Sequence, residues 1–328
     1  MKTGIIGAGR IGSVLYKKTV SLGWEIKFIL KDDGVYRNLS ERMDNFENRQ
    51  NYFKDLDVVF LAIPTFDDGK TAFDYMTSLL EKNIPVVTCE KGSLSNYFSE
   101  LEKWIDKIGY SATVGGGTRL LRYLERRINP QVNEVQAVIN GTLNYIFDEI
   151  SKGRNLGEVV EEVKRLGYTE PGASSPIDII NKESLGDAPM KSAILFNVCF
   201  RKFTPKRMKA KNVELNKIGK QELRNLITEA NNRRYIVSIT KGNNKEDVIG
   251  GFKYQIDDWT ISAGFKRIDD NPLFRKLIPE GVDNAVLISE GEFGREGTYV
   301  LSGPGAGSGP TTNSMIIDAE AILLKRDS

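Results

Sequence analysis

The chain contains no histidine. Histidine is the side chain whose ordinary pKa lies closest to neutrality, so proton transfer near pH 7 falls here to lysines, carboxylates or tyrosines. Cysteine is scarce too: only Cys89 and Cys199 occur, with no CxxC pair and no zinc spacing. Two cysteines build no disulfide framework in 328 residues, and a reducing cytoplasm is the expected location. Neither sign of charge dominates. The 46 basic residues stand against 44 acidic ones, a net +2, which argues against a dedicated nucleic-acid binder. No apolar run approaches the length that spans a bilayer. The N-terminus has neither a long apolar region nor a cleavage site, so no membrane partner is expected. Internal repeats and low-complexity tails are missing as well. The chain is long enough for a large core and more than one domain.

The first half carries a clear rhythm. "TGIIGAGRIG" is an apolar run leading into Gly7, Gly9 and Gly12, a GxGxxG. A helical pattern (13–23) and a second apolar run, "WEIKFIL" (24–30), follow. Strand, glycine turn, helix and strand form the context that this motif needs to bind a dinucleotide. Gly7 permits the tight turn, Gly9 lets backbone approach a pyrophosphate, and Gly12 lets helix and strand pack closely. Ala8, Arg10 and Ile11 complete the turn. Phosphates would sit at the helix N-terminus, where free N–H groups and the dipole favour anions. The residue ending the second strand selects NAD by an acid or NADP by a cation. Lys31 and Asp32 both stand there, and the register leaves the choice open. "LDVVFLAIPT" (56–65) and "IPVVTCEKGSL" (84–94) read as further buried parallel strands. Ligands bind at the carboxyl ends of such strands, where Ile63, Pro64, Thr65, Thr88 and Lys91 fall.

After about residue 130 the pattern changes. A strand over 134–139, a turn at Asn140–Gly141 and a helix capped by Thr142 are expected, then an amphipathic helix closed by Gly167. The stretch 169–187 reads as a long polar loop bearing Glu170, Asp178 and Asp187, and such loops are often functional. It delivers the chain to a helix opened by Asp187 and Lys191, which share one face at i,i+4 spacing. From 212 to 300, strand runs between turns suggest an open, largely antiparallel sheet with no obvious catalytic group. A Gly-rich loop with Gly305 and Gly307 feeds a last helix starting at Thr311 or Thr312, and its backbone could approach a ligand closely. The fold class is α/β. An N-terminal Rossmann doubly wound parallel sheet (1–130) precedes an α+β substrate and dimerisation domain with an open, mostly antiparallel sheet (131–302). A Gly-rich loop and C-terminal helix (303–328) return to the first domain.

Together these motifs resemble the homoserine dehydrogenase family nearly end to end. "TCEK" (88–91) stands for the family's TANK-type strand end, "TVGGGTRLL" (113–121) for its glycine hinge, and "NGTLNYI" (140–146) for its NGT turn. "LGYTEPG" (166–172), "DAPMK" (187–191), "NPLFRKL", "NAVLISEG" and "GPGAGSGPTT" follow in order. The resemblance implies a short form, without a C-terminal amino-acid-binding domain and its threonine feedback. It implies hydride transfer between NAD or NADP and L-homoserine, giving L-aspartate 4-semialdehyde, in the threonine and methionine branch of amino-acid biosynthesis. Lys91 and Lys191 would form the polar centre. Glu170, Asp178 and Asp187 would bind the substrate's ammonium, with Gly141, Thr142 and Tyr168 beside them. A homodimer acting on a small molecule is expected.

The chain also departs from the family pattern. Cys89 and Glu90 stand where the family has Ala and Asn, and Arg119 where it has Pro. Ser111 stands where a cation-holding Glu is frequent. The segment between Asp178 and Asp187 is about four residues longer than usual. A monovalent cation on the carbonyls of Val114, Gly116 and Thr118 stays open, as does a same-fold dehydrogenase for another amino or hydroxy acid, or a dinucleotide sensor without turnover.

Overall fold

Apolar, β-branched runs become strands wherever both of their faces can be covered. In the computed structural model, which describes residues 1–168, 175–242, 247–305 and 307–326, the chain folds as two compact units, Met1–Gly117 with Gly307–Ser328, and Thr118–Ala306.

The first unit is built on β1 (Lys2–Ile6), β2 (Glu25–Leu30), β3 (Gly34–Tyr36), β4 (Arg42–Asn45), β5 (Val58–Leu61), β6 (Val86–Thr88) and β7 (Ile108–Gly109). Their order is β4-β3-β2-β1-β5-β6-β7. β2, β1, β5, β6 and β7 run parallel, while β3 and β4 add an antiparallel edge that the sequence reading lacks. Val58, Val59, Phe60 and Leu61 of the central β5 are fully buried, as expected for a strand covered on both faces. Its helices are α1 (Arg10–Ser21), α2 (Lys70–Leu80), α3 (Gly92–Asn96) and α4 (Phe98–Leu101). Leu15 of α1 joins Ile29, Phe60 and Val87 in one core cluster with Met315, Ile316 and Ala319 of the C-terminal helix.

The second unit carries α5 (Leu120–Arg127), β8 (Val132–Val138), α6 (Gly141–Ser151), α7 (Leu156–Leu166), α8 (Pro176–Lys182), α9 (Ala188–Phe200), α10 (Lys220–Thr228), β9 (Arg233–Lys241), β10 (Val248–Ile256), β11 (Trp259–Arg267), α11 (Phe274–Leu277), β12 (Asn284–Glu290) and β13 (Gly297–Gly303). The sheet is antiparallel throughout, in the order β10-β11-β9-β8-β12-β13. α9 packs on β9 and β11, and Phe147 of α6 meets Phe265 with ring centroids 4.4 Å apart. On the opposite face, Leu273, Phe274 and Leu277 close over Val138, Ile236, Ala285 and Leu287. A buried polar chain continues along that face. Lys266 Nζ donates to Ser238 Oγ (2.6 Å) and Ser262 Oγ (2.8 Å). The Ser238 hydroxyl donates to Gln136, whose amide reaches Glu134 (2.9 Å).

Three expectations change. The first unit boundary lies at 117, ahead of α5, because Leu120, Leu121 and Leu124 are buried and α5 packs on α9 and β12. The described part of the supposed loop, from 175 to 187, is helical: α8 runs through a π turn (Glu183–Asp187) directly into α9. The last helix, α12 (Ser308–Arg326), begins three residues before Thr311.

α12 is pinned by one buried acid. Asp318, 1% exposed, accepts from the Ser111 amide and the Ser111 hydroxyl, both at 2.7 Å. Ser111 is therefore committed to a structural contact at the place where the family pattern has a glutamate. Asp318→Ala leaves two buried donors unpaired and is expected to lower the unfolding free energy by about 2–3 kcal/mol. Ser111→Ala, which keeps the amide contact, should cost less. Urea titration of both variants measures the difference.

Candidate functional site

The glycine turn meets the demands of a dinucleotide one residue at a time. Gly7 has φ +94°, and a Cβ there would overlap the Ala62 carbonyl. A Cβ at Gly12 would overlap the Gly7 carbonyl, so this helix and its strand can approach only without a side chain. Gly9 differs: a Cβ there meets nothing within 4 Å. The space beside Gly9 is where a ligand would approach the backbone. Gly9 is also the N-cap of α1 and makes no side-chain cap hydrogen bond, so no cap side chain stands between this helix N-terminus and an anion. The turn lines a cleft of about 560 Å³ with Gly7, Ala8, Gly9, Lys31, Asp32, Ile63 and Pro64 in its wall. Sequence reasoning missed Phe46, just after β4, and Phe66, Thr71 and Tyr75, before and within α2, which also line it; no motif marks any of them.

Lys31 follows β2 and is held in place. Its Nζ donates to the Leu39 carbonyl at 2.6 Å and lies 3.9 Å from the centre of the Tyr36 ring. Asp32 is exposed. Asp33 accepts from the Tyr36 hydroxyl at 2.6 Å, and this bond, aided by Arg42 and Lys31, draws its pKa below the usual carboxylate range. Arg10 and Ile11 lie in the first turn of α1 and are exposed and half-buried.

At the carboxyl ends of β5 and β6 the departure at Glu90 finds its reason. Glu90 is 2% exposed. Its carboxylate accepts from the Thr65 hydroxyl (2.5 Å) and from the amides of Gly92 (2.5 Å) and Ser93 (2.9 Å). Its own amide donates to Thr88 Oγ1 (2.9 Å), whose hydroxyl donates to the Leu61 carbonyl (3.2 Å). Glu90 thus satisfies orphan donors at the start of α3, as an N-cap does, and ties Thr65 to the turn that presents Lys91. Lys91 is half-buried at the N-cap of α3. Burial pushes the Cys89 thiol up to about 11, so it is neutral near pH 7.

In the second unit the structure gathers a charged constellation. Lys191 Nζ lies 2.7 Å from Asp187 Oδ2 and donates to the Ile139 carbonyl at 2.6 Å. The Asn140 amide Nδ2 donates to both Glu183 Oε2 (2.9 Å) and Asp187 Oδ2 (3.1 Å). The three charged residues stand four apart in sequence, which places them on one face of the helix. Pro189, in the first turn of α9, has no N–H for the carbonyl four residues back and its ring crowds that carbonyl. One residue earlier, the Ala188 amide donates to the Glu183 carbonyl, five residues back. Such π bulges occur frequently at functional sites. Tyr235 donates from its hydroxyl to the Ser184 carbonyl at 3.0 Å and braces the turn. Burial, with the Asp187 charge nearby, pushes its phenol pKa well upward, so it acts as a donor and not as a base.

The remaining predicted residues are placed as follows. Asn140, not Thr142, caps α6, its Oδ1 accepting from the Leu143 amide at 2.8 Å. Thr142 donates from its hydroxyl to the Tyr168 carbonyl at 2.7 Å. Gly141 packs against the Val282 backbone. Asp178 is exposed in the first turn of α8, bound to the cap residue Ser175. Nine residues of helix at about 1.5 Å each separate it from Asp187, so it is not brought into the constellation. Glu170 lies outside the described residues. Gly305 lies against the Asn284 side chain, buried with neither amide atom hydrogen-bonded, and Gly307 has φ +108°. Val114 is fully buried, the Gly116 carbonyl accepts from Ser314 Oγ (2.8 Å), and Thr118 donates to the Pro304 carbonyl (3.1 Å). Among the described residues no group of three His, Cys, Asp or Glu is placed to hold a metal. Arg119 has φ +54°, a conformation closed to the proline of the family pattern.

The contrast between two glycines gives a test. Gly9→Val should leave unfolding within about 0.5 kcal/mol of the parent and weaken dinucleotide binding by about tenfold or more. Gly12→Val should cost about 3 kcal/mol, the upper end for overpacking. Cofactor titration and urea unfolding of both variants check the assignment.

The homoserine dehydrogenase family profile matches residues 121–319. A homoserine dehydrogenase of Pyrococcus horikoshii is 26% identical over 307 residues, covering 92% of this chain and 82% of that protein. One of Bacillus subtilis is 27% identical over 279 residues, covering 82% of this chain and 57% of that protein. Among solved structures, homoserine dehydrogenase of Thermoplasma acidophilum superposes with a TM-score of 0.73 at 18% identity, over 99% of both chains. A hyperthermophilic archaeal homoserine dehydrogenase in complex with NADPH does so with a TM-score of 0.68 at 20% identity, covering 99% of this chain and 98% of that one. With the profile matching most of its length, the chain belongs to the homoserine dehydrogenase family.

Proposed function

We propose that this chain interconverts L-homoserine and L-aspartate 4-semialdehyde with a nicotinamide dinucleotide, preferring NADP. The observation that carries this reading is Lys191, anchored by Asp187 and the Ile139 carbonyl at the NGT turn of a family member. The open space at Gly9 and the uncapped first turn of α1 fit a pyrophosphate, and Lys31 in the cleft wall fits a 2′-phosphate. When bound, the reduced nicotinamide supplies the hydride that converts the aldehyde to the alcohol.

The chain's residues manage charge and protons around that transfer. Lys191 offers an ammonium to the aldehyde oxygen, stabilises the negative charge growing there and delivers the proton. In the oxidative direction it receives the proton back. Asp187 fixes the direction in which Lys191 points and presents a carboxylate to the substrate's ammonium. Lys91 adds a second positive charge at the strand ends, on a turn stiffened by Glu90. The same reading includes a cytoplasmic homodimer in the threonine and methionine branch of amino-acid biosynthesis, which light scattering of the purified protein tests as to assembly.

The absorbance of the reduced cofactor, followed with L-homoserine and analogues, tests the reaction. Lys191→Ala should lower kcat by about 10²-fold or more, the scale of a lost proton donor. Asp187→Ala should change both KM and kcat. Wild-type rates from Lys191→Ala would falsify its catalytic role. Lys31→Asp should lower kcat/KM for NADP more than for NAD; an unchanged ratio would remove Lys31 from the ribose site.

A further inference from the structure

The strand end that chooses between NAD and NADP carries a cation and two acids in a row, Lys31, Asp32 and Asp33. The antiparallel edge that follows it acts on two of the three. We infer that Tyr36 of β3 is a positioning residue for the cofactor: its ring holds the Lys31 ammonium and its hydroxyl withdraws Asp33, so that this one side chain sets the preference for NADP. The inference rests on the placement of Lys31 at the 2′-phosphate proposed above.

Three observations carry it. The first is register. The Lys31 amide donates to the Gly34 carbonyl (3.0 Å) and closes a tight turn, beyond which Leu30 pairs with Val35 and Ile29 with Tyr36. Opposed side chains share a face of the sheet, and so do residues two apart along a strand, so Tyr36 and Lys31 are diagonal neighbours on one face. The Lys31 ammonium accordingly lies 3.9 Å from the centre of the Tyr36 ring, and its bond to the Leu39 carbonyl uses one of its three donors. The second is the fate of Asp33. Its carboxylate accepts from the Tyr36 hydroxyl at 2.6 Å, and its carbonyl accepts from Arg42 Nη2 at 2.6 Å. Among the described residues, the cleft wall takes Lys31 and Asp32 but not Asp33. A second carboxylate in that wall would repel a phosphate. The third is rigidity. Tyr36 is 8% exposed and packs in one core cluster with Ile29 and with Leu15 of α1, so the base under Lys31 is fixed.

The test is a binding measurement that needs no turnover. Fluorescence titration with NADPH and with NADH gives the ratio of their affinities, and thermal unfolding checks each variant. Lys31→Met should lower the ratio by about tenfold or more, the scale of a lost charged hydrogen bond. Tyr36→Phe keeps the ring and frees Asp33. It should lower the ratio by about threefold, and Asp33→Asn in the same protein should restore it. Tyr36→Leu removes the ring as well and should lower the ratio by about tenfold, with NADH held within about twofold. In the Lys31→Met protein that loss should shrink to about threefold, because the ring acts only through Lys31. Equal losses for both cofactors, or an unchanged ratio in the Tyr36 variants where Lys31→Met changes it, would overturn the inference and leave Lys31 its role. An unchanged ratio in Lys31→Met would instead remove Lys31 from the phosphate, and the inference with it. If the leucine variant folds poorly, Tyr36→Phe with and without Asp33→Asn decides: an unchanged ratio, or a loss that Asp33→Asn does not restore, counts against Tyr36.

Discussion

Pro189 has no amide hydrogen to give. The Leu185 carbonyl, four residues back, therefore has no amide donor at the regular helical spacing. A proline one turn into a helix removes a hydrogen bond and pushes away the carbonyl behind it. Here the helix neither stops nor kinks. It widens for one turn, with Ala188 bonding to Glu183 and Tyr235 taking the Ser184 carbonyl. Glu183, Asp187 and Lys191 stand four residues apart in turn and share one face of the helix. Glu183 and Asp187 turn toward Asn140 at the head of α6, and Lys191 reaches the Ile139 carbonyl just before it.

The first unit is organised by backbone as well, with buried carboxylates fastening it. Gly7 and Gly12 let strand and helix meet at a distance that any Cβ would forbid. Glu90 then fixes the strand-end turn, and Asp318 fixes α12 through Ser111. Both acids are buried yet receive hydrogen bonds from backbone amides and hydroxyls, which is the condition under which a buried polar group is tolerated. The departures at Glu90 and Ser111 therefore have structural causes inside this unit. Neither requires a changed substrate.

Much of this was legible in the sequence because the signals are local. The glycine turn, the apolar parallel strands and the hairpin-rich second half each announce themselves within about ten residues. The charge pair at Asp187 and Lys191 was legible too, as an i,i+4 spacing. Glu183 was not. Its segment, with serine, glycine and aspartate crowded before a proline, has the composition of a loop, and a π turn has no hydrophobic period of its own. A helix start was nevertheless written at Ser175–Pro176 with Asp178 following, the serine cap and proline first turn of a regular helix. Asn140 lost its cap to Thr142 in the reading because both residue types cap well, and only the tertiary demand of the Tyr168 carbonyl on Thr142 separates them. Glu90 was not legible as a cap because glutamate is not among the favoured capping residues, and its hydroxyl partner Thr65 lies 25 residues away.

What remains is why a charged pair sits in a helix that otherwise reads as core. All residues of α9 except Met190 and Lys191 are buried, so this helix is apolar around its whole circumference. Lys191 and Asp187 are 14% and 21% exposed. At that depth an ion pair is a poor stabiliser: desolvation offsets most of the attraction, and a hydrophobic pair of similar size would hold the helix as well. An amino-acid substrate carries an ammonium that an acid can hold, and the same Asp187 fixes where the Lys191 ammonium points. Placing both tasks on one turn of helix explains why charge enters this core at Lys191.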